Sequence, residues 1–281
     1  RQPFSIDAVN EFDPIFEDMY DYCEAQELEV DTLIHESGAA QMEINFLHGD
    51  AIDLADQVFL FKRTMREAAH RHGIYATFMA KPMSDEPGSA MHIHQSLEDA
   101  EGRNLFGTSE GGNSALFMHF IAGLQKYTPA VTALLAPHAN SYRRLTFGES
   151  APRNVQWGVE SRTCGRRVPF SEPSARRVEN RFAGADANPY LALAATLACG
   201  YLGMLEKLEP MQEMKASAYD LPYSLPRSLE ESLSHLEQCE PIKDMLGERF
   251  IRAFVAVKRK EYETYFGVIS RWEREFLLLN V

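Results

Sequence analysis

Apolar residues recur at helical spacing over residues 11–26, where Phe12, Phe16, Met19, Tyr20 and Cys23 share a face, so the stretch predicts an amphipathic helix. The period then falls to two. Residues 30–35 and 41–46 read as strands around Gly38, and the second alternates Met42, Ile44 and Phe46 against Glu43 and Asn45. Asp50 opens a long amphipathic helix through Leu54, Val58, Phe61 and Met65 that ends at Gly73. Residues 74–80 form an apolar run, expected to be a strand, and Lys81-Pro82 stops it. A further strand over 91–97 puts His92, His94 and Ser96 on one face, and 113–135 is helical with a bend expected at Pro129. Residues 136–175 read as loop-rich, with a strand near 155–159. Residues 176–182 read as a strand with Arg177, Glu179 and Arg181 on one face, and Asn188-Pro189 opens a helix to about residue 207. Helices are expected over 227–238 and 245–277, the latter open to interruption. The pattern is an α+β mixture without repeat, low-complexity tract or linker.

The polar faces carry more chemistry than an exposed strand needs. Such a face ordinarily shows Thr, Lys and Ser, whereas these strands show Glu43, His92, His94, Arg177, Glu179 and Arg181. A His-x-His pair among Glu36, Glu43 and Glu179 makes an oxygen-rich donor set, which suits magnesium or manganese better than zinc.

Charge sharpens this reading. The chain of 281 residues has 28 basic and 41 acidic residues, a net charge of −13, which disfavours non-specific nucleic-acid binding. Against that total, Arg143, Arg144, Arg153, Arg162, Arg166, Arg167, Arg176, Arg177 and Arg181 lie close together in sequence. Arginine-rich, lysine-poor clusters favour forked binding of phosphates and carboxylates. Divalent cation plus arginine clamps is the equipment of phosphoryl transfer. No phosphate loop of the G-x-x-x-x-G-K-[ST] type and no G-x-G-x-x-G is present, so a nucleotide site must be of another kind. No apolar run is long enough for a membrane span, and none of the 4 cysteines is spaced as a C-x-x-C pair, which points to a reducing, cytoplasmic setting.

Residues 76–82 (ATFMAKP) and 88–96 (GSAMHIHQS) resemble the central signature of the glutamine synthetase family. Residues 140–145 (NSYRRL) resemble its substrate-binding segment, and 176–182 (RRVENRF) followed by 188–191 (NPYL) resemble its last catalytic strand and the helix after it. His35-Glu36 through Gln41-Met42-Glu43 resembles its metal-binding hairpin. The resemblance implies a curved antiparallel sheet backed by helices. It also implies a cytoplasmic ligase that assembles into a ring-shaped homo-oligomer and uses glutamate, ATP, a small amine and Mg2+ or Mn2+. ATP would phosphorylate the γ-carboxylate of glutamate, and an amine would then displace phosphate.

Matched position by position, Glu36 and Glu43 correspond to first-metal carboxylates, and His92 and Glu179 to ligands of the second metal, with His92 also beside glutamate. Asp31, His94 and Ser96 correspond to ATP contacts. Gly88 corresponds to a backbone contact to glutamate, and Arg144 and Arg181 to the clamp on its carboxylates. Arg162, Arg167 and Arg177 correspond to the arginines on the ATP phosphates, with Arg162, Arg144 and Arg181 assisting the reaction itself.

There are departures. In residues 148–152 (GESAP), Ser150 stands where ordinary glutamine synthetases carry the glutamate that binds ammonium, although Glu149 is a neighbouring substitute. Pro87 replaces an asparagine and Ser174 an ATP-contacting lysine. Ser150 and residues 157–163 (WGVESRT) look more like the branch that ligates glutamate to polyamines or other alkylamines. True glutamine synthetase and an inactive structural or regulatory relative remain alternatives. The family's other metal strand, a Glu-x-Glu, and its small β-domain belong before the residues given, so the whole stretch is expected to be one catalytic domain without them.

Overall fold

The computed structural model describes residues 5–147 and 150–281, with only the backbone at Ala8. Helices α1 (Ile6–Glu11) and α2 (Asp13–Ala25) lead into the antiparallel hairpin of β1 (Val30–His35) and β2 (Met42–Phe46). Helix α3 (Ala51–Arg71) follows, and Asp50 caps it by accepting from the Ile52 and Asp53 amides. Ile15, Phe16, Met19, Cys23, Phe61 and Ala68 are buried together between α2, α3 and the hairpin, as the helical spacing requires.

The second sheet lies in the order β3-β6-β5-β4, formed by β3 (Ile93–Gln95), β4 (Trp157–Val159), β5 (Arg166–Val168) and β6 (Val178–Asn180). β3–β6 and β5–β6 are antiparallel, while β4–β5 is parallel. The register sets Glu179 opposite His94 on one side and Arg167 on the other. This sheet is backed by α4 (Ala115–Leu135), with α5 (Ser141–Phe147) close behind it in sequence, and by α6 (Pro189–Leu205), capped by Asn188. α4 and α6 meet backbone to backbone. A Cβ on Gly203 would lie 2.5 Å from the Gly123 Cα, and one on Gly123 would collide with the Cys199 carbonyl. Helices α7 (Leu229–Gln238), α8 (Glu240–Leu246), α9 (Glu248–Phe266) and α10 (Arg271–Phe276) complete the chain. The main core contains Phe106, Phe117, Phe120, Leu134, Phe182 and Cys199. Among the described residues no helix is long and apolar enough to cross a membrane.

Several expectations need correction. Residues 74–80 form no strand among the described residues. Phe78 packs towards the hairpin core while Tyr75 is 89% exposed, so the alternation is real and the ladder is not. Within the loop-rich residues 136–175, the helix α5 and the strand β5 were not expected. The long C-terminal helix divides at Gly247, whose φ of 93° a side chain rarely adopts, and again before the Ser270/Glu273 capping box of α10.

Candidate active site

Glu179 is the centre of a charged cluster on the sheet. It is buried, and both carboxylate oxygens are engaged. Arg181 Nη1 donates to Oε1 at 2.7 Å, Arg167 Nη1 to Oε2 at 2.7 Å, and His92 Nδ1 lies 3.2 Å from Oε1. Burial pushes the Glu179 carboxyl up, but Arg181, His92 and Arg167 outweigh it and hold it down at about 2. His92 is held neutral, first by burial and then by Arg181 and Arg144, despite the pull of Glu179. His94 is lowered for the same first reason, and its Nδ1 accepts from Arg177 Nε at 3.2 Å. Arg167 also donates from Nη2 to Glu160 at 2.8 Å.

Arg144 comes from α5, the helix hidden in the expected loop. It is 3% exposed, donates from Nη2 to the Phe182 carbonyl, and leaves its buried Nε without a partner. The buried Nε atoms of Arg181 and Arg167 are unpartnered too. Gly88 lies against Arg144, since a Cβ there would meet Arg144 Cγ at 2.5 Å and the Ala80 carbonyl at 2.7 Å. Arg181 and Arg167 thus share the buried Glu179 carboxylate, Arg144 stands beside Arg181, and all three keep an unpartnered N–H that suits a carboxylate or phosphate.

The acidic hairpin is joined to this region. Gln41 Nε2 donates to the Gly88 carbonyl at 3.0 Å and contacts Ser89 Oγ, while the Ala39 amide donates to Glu86. Burial raises the Glu43 carboxyl, and Glu36 and Glu179 raise it further. Crowded carboxylates plus one imidazole are a donor set that fits a hard divalent cation. The four candidate ligands Glu36, Glu43, His92 and Glu179 share a neighbourhood. Among the described residues, however, no three His, Cys, Asp or Glu side chains form a group able to hold an ion, so the expected convergence is incomplete.

Other candidates stand apart. Asp31 is exposed on β1 with Tyr20 as its electrostatic neighbour. Arg162 is exposed on the turn between β4 and β5 and reaches the cluster only through Glu160. Ser96 is exposed just past β3, and Ser150 is exposed, whereas Glu149 lies outside the described residues. Asp186 was not anticipated. Its Oδ2 accepts from Ser141 at 2.6 Å, and it opposes the fall of Arg144 to about 10 that burial causes. Lys62 was missed as well. Its Nζ donates to the Ala185 and Ala187 carbonyls at 2.7 and 2.8 Å, tying α3 to the loop after β6. For Asp186 the available signal was a lone acid set among the small residues Ala183, Gly184, Ala185 and Ala187 that follow Phe182.

A helix-backed mixed sheet with clustered guanidiniums beside an acidic hairpin is an α+β architecture. The chain belongs to the family described as glutamine synthetase, catalytic domain, which matches residues 1–277. It is 35% identical over 283 residues to the gamma-glutamylputrescine synthetase of Escherichia coli (strain K12), covering 99% of this chain and 60% of that protein. It is 38% identical over 276 residues to the glutamine synthetase of Pyrococcus abyssi (strain GE5 / Orsay), covering 95% of this chain and 62% of that one. The solved structure of GmaS in its apo form without ligand superposes with a TM-score of 0.89 at 32% identity, over 98% of this chain and 65% of the other. The chain thus spans about three fifths of the length of these curated relatives.

Proposed function

We propose that this chain is the catalytic part of a cytoplasmic, ring-forming ligase that uses ATP to join the γ-carboxylate of glutamate to an alkylamine or diamine. The observation that carries the reading is the buried pair Arg144 and Arg181, with Gly88 against Arg144 and an unpartnered Nε on each arginine. Forked donors in a dry setting recognise carboxylates strongly.

In this reading Arg144 and Arg181 orient glutamate, with the Gly88 backbone close to it. Arg167, Arg177 and Arg162 face the ATP phosphates, and His94, Ser96 and Asp31 serve the nucleotide. A γ-carboxylate oxygen attacks the terminal phosphorus, and the bond to the bridging oxygen breaks to release ADP. The amine nitrogen then attacks the acyl carbon, the carbon–oxygen bond to phosphate breaks, and the nitrogen loses a proton. A divalent cation, Mg2+ or Mn2+, held by Glu36, Glu43, His92 and Glu179 would neutralise phosphate charge. The arginines stabilise the same developing charge from the protein side.

Ser150 favours an alkylamine over ammonium. Ammonium needs a carboxylate to attract it and accept its proton, and a serine hydroxyl does neither well. Each buried CH2 contributes about 0.8 kcal/mol, so a four-carbon stem contributes roughly 3 kcal/mol. The similarity to gamma-glutamylputrescine synthetase supports this choice, and the similarity to glutamine synthetase keeps ammonium as the second reading. The test measures product formation by the full-length protein with glutamate, ATP and magnesium fixed and the amine varied. An alkyl mono- or diamine should exceed ammonium at least tenfold in kcat/KM, and Ser150→Glu should narrow the gap. Equal turnover of ammonium by the unaltered protein would move it to the glutamine synthetase reading.

A further inference from the structure

Arg166 is fully buried, yet no carboxylate among the described residues pairs with it. Its Nη2 donates to the Leu124 carbonyl of α4 at 2.8 Å and to Thr128 Oγ1, while Nε and Nη1 are buried without partners. A guanidinium so placed is expensive, because desolvation is opposed by only two neutral acceptors. A methionine or leucine would fill the site without that penalty. The charge therefore needs a reason other than stability.

The surroundings supply one. The Arg166 guanidinium stacks 4.1 Å from the centroid of the Phe182 ring. Gly165 lies against the same ring and must lack a side chain, since a Cβ there would collide with Phe182 Cζ. Phe182 is thus fixed by Arg166 and by Gly165, and Arg166 itself is hooked to α4. The carbonyl of Phe182 receives Arg144 Nη2, and the preceding residue is Arg181, whose amide donates to the Gly165 carbonyl at 3.1 Å. Both arginines of the carboxylate clamp are therefore referenced to one aromatic ring. A planar cation suits this task. It sits over the ring face and keeps N–H donors for the helix carbonyl, which an aliphatic chain cannot do.

We propose that Arg166 is a positioning residue for the Arg144–Arg181 clamp, acting through Phe182, and that it is retained at the expense of stability. The inference rests on the glutamate reading above. It is tested with the full-length protein and the variants Arg166→Met, Phe182→Leu and their double. Arg166→Met should melt no lower than the unaltered protein. It should raise the KM for glutamate at least fivefold while the KM for ATP changes less than twofold. A purely structural residue would move neither constant selectively. Phe182→Leu should show the same selective rise with a lower melting temperature, and the double variant should be no worse for glutamate than the worse single. The proposal is overturned by an unchanged glutamate KM in Arg166→Met, by failure of that variant to fold, or by additive single effects. An unaltered protein with no glutamate-dependent ATP turnover would instead sink the glutamate reading, and this inference with it.

Discussion

In the proposed reading Arg144 and Arg181 hold the glutamate carboxylates from a buried setting. Replacing either with alanine should lower kcat/KM for glutamate by more than tenfold. That corresponds to roughly 2 to 5 kcal/mol for a truncated buried charge pair, and steady-state kinetics at varied glutamate checks it. Glu179 is legible in a different measurement. Its carboxyl titrates at about 2 in the folded protein against an ordinary 4.5, so the unfolded chain takes up the proton first. Its stabilising contribution is complete above about pH 4.5 and disappears as pH falls through about 2, and its ceiling is about 3 kcal/mol. Denaturant unfolding of the unaltered protein and Glu179→Gln should show a gap at pH 6 that shrinks at pH 3. A gap that stays constant would separate the stability of this region from that titration. At this scale the sequence pointed to Glu179, His92, Arg144 and Arg181, because each stands in a distinctive local string. Asp186 escaped because its relation to Arg144 exists only once α5 folds across the loop after β6.

Elements were readable where periodicity was long and ends were capped. Asp50 and Asn188 mark the starts of α3 and α6, and both cap by side-chain acceptance. α5 was not readable, because seven residues hold too few turns to display a period. β5 looked like a charged loop. It is a strand only because β4 and β6 flank it and bury Arg166, which no local pattern announces. Residues 74–80 show the converse, an apolar alternation without a ladder. The α4–α6 contact gives a prediction of its own. Alanine is normally favoured over glycine inside a helix by about 1 kcal/mol. At Gly123 the added methyl would meet the Cys199 carbonyl and lie 2.7 Å from the Gly203 Cα, and backbone does not yield as a flexible side chain does. Gly123→Ala should therefore destabilise by about 1 to 3 kcal/mol, visible as a lower melting temperature.

The described residues form two apolar cores of unequal size. The larger surrounds α4, α6 and α7, while the smaller holds α2, α3 and the β1–β2 hairpin. Every residue of β2 is only half-buried, and a two-stranded sheet has little stability of its own. Amide hydrogen exchange should accordingly be faster in the hairpin and α2 than in α4 and α6. Uniform protection across both cores would show that they open as one unit. The hairpin is nonetheless tied to the segment that lies against Arg144, and Gln41 is one of the ties, since it touches the Gly88 carbonyl and Ser89. A bond shared by two sites obeys reciprocity. In the proposed reading, whatever factor an acidic ligand near Gly88 applied to cation affinity at Glu36 and Glu43, a cation would return to that ligand unchanged. Gln41 would then be one carrier of a coupling that is equal in both directions.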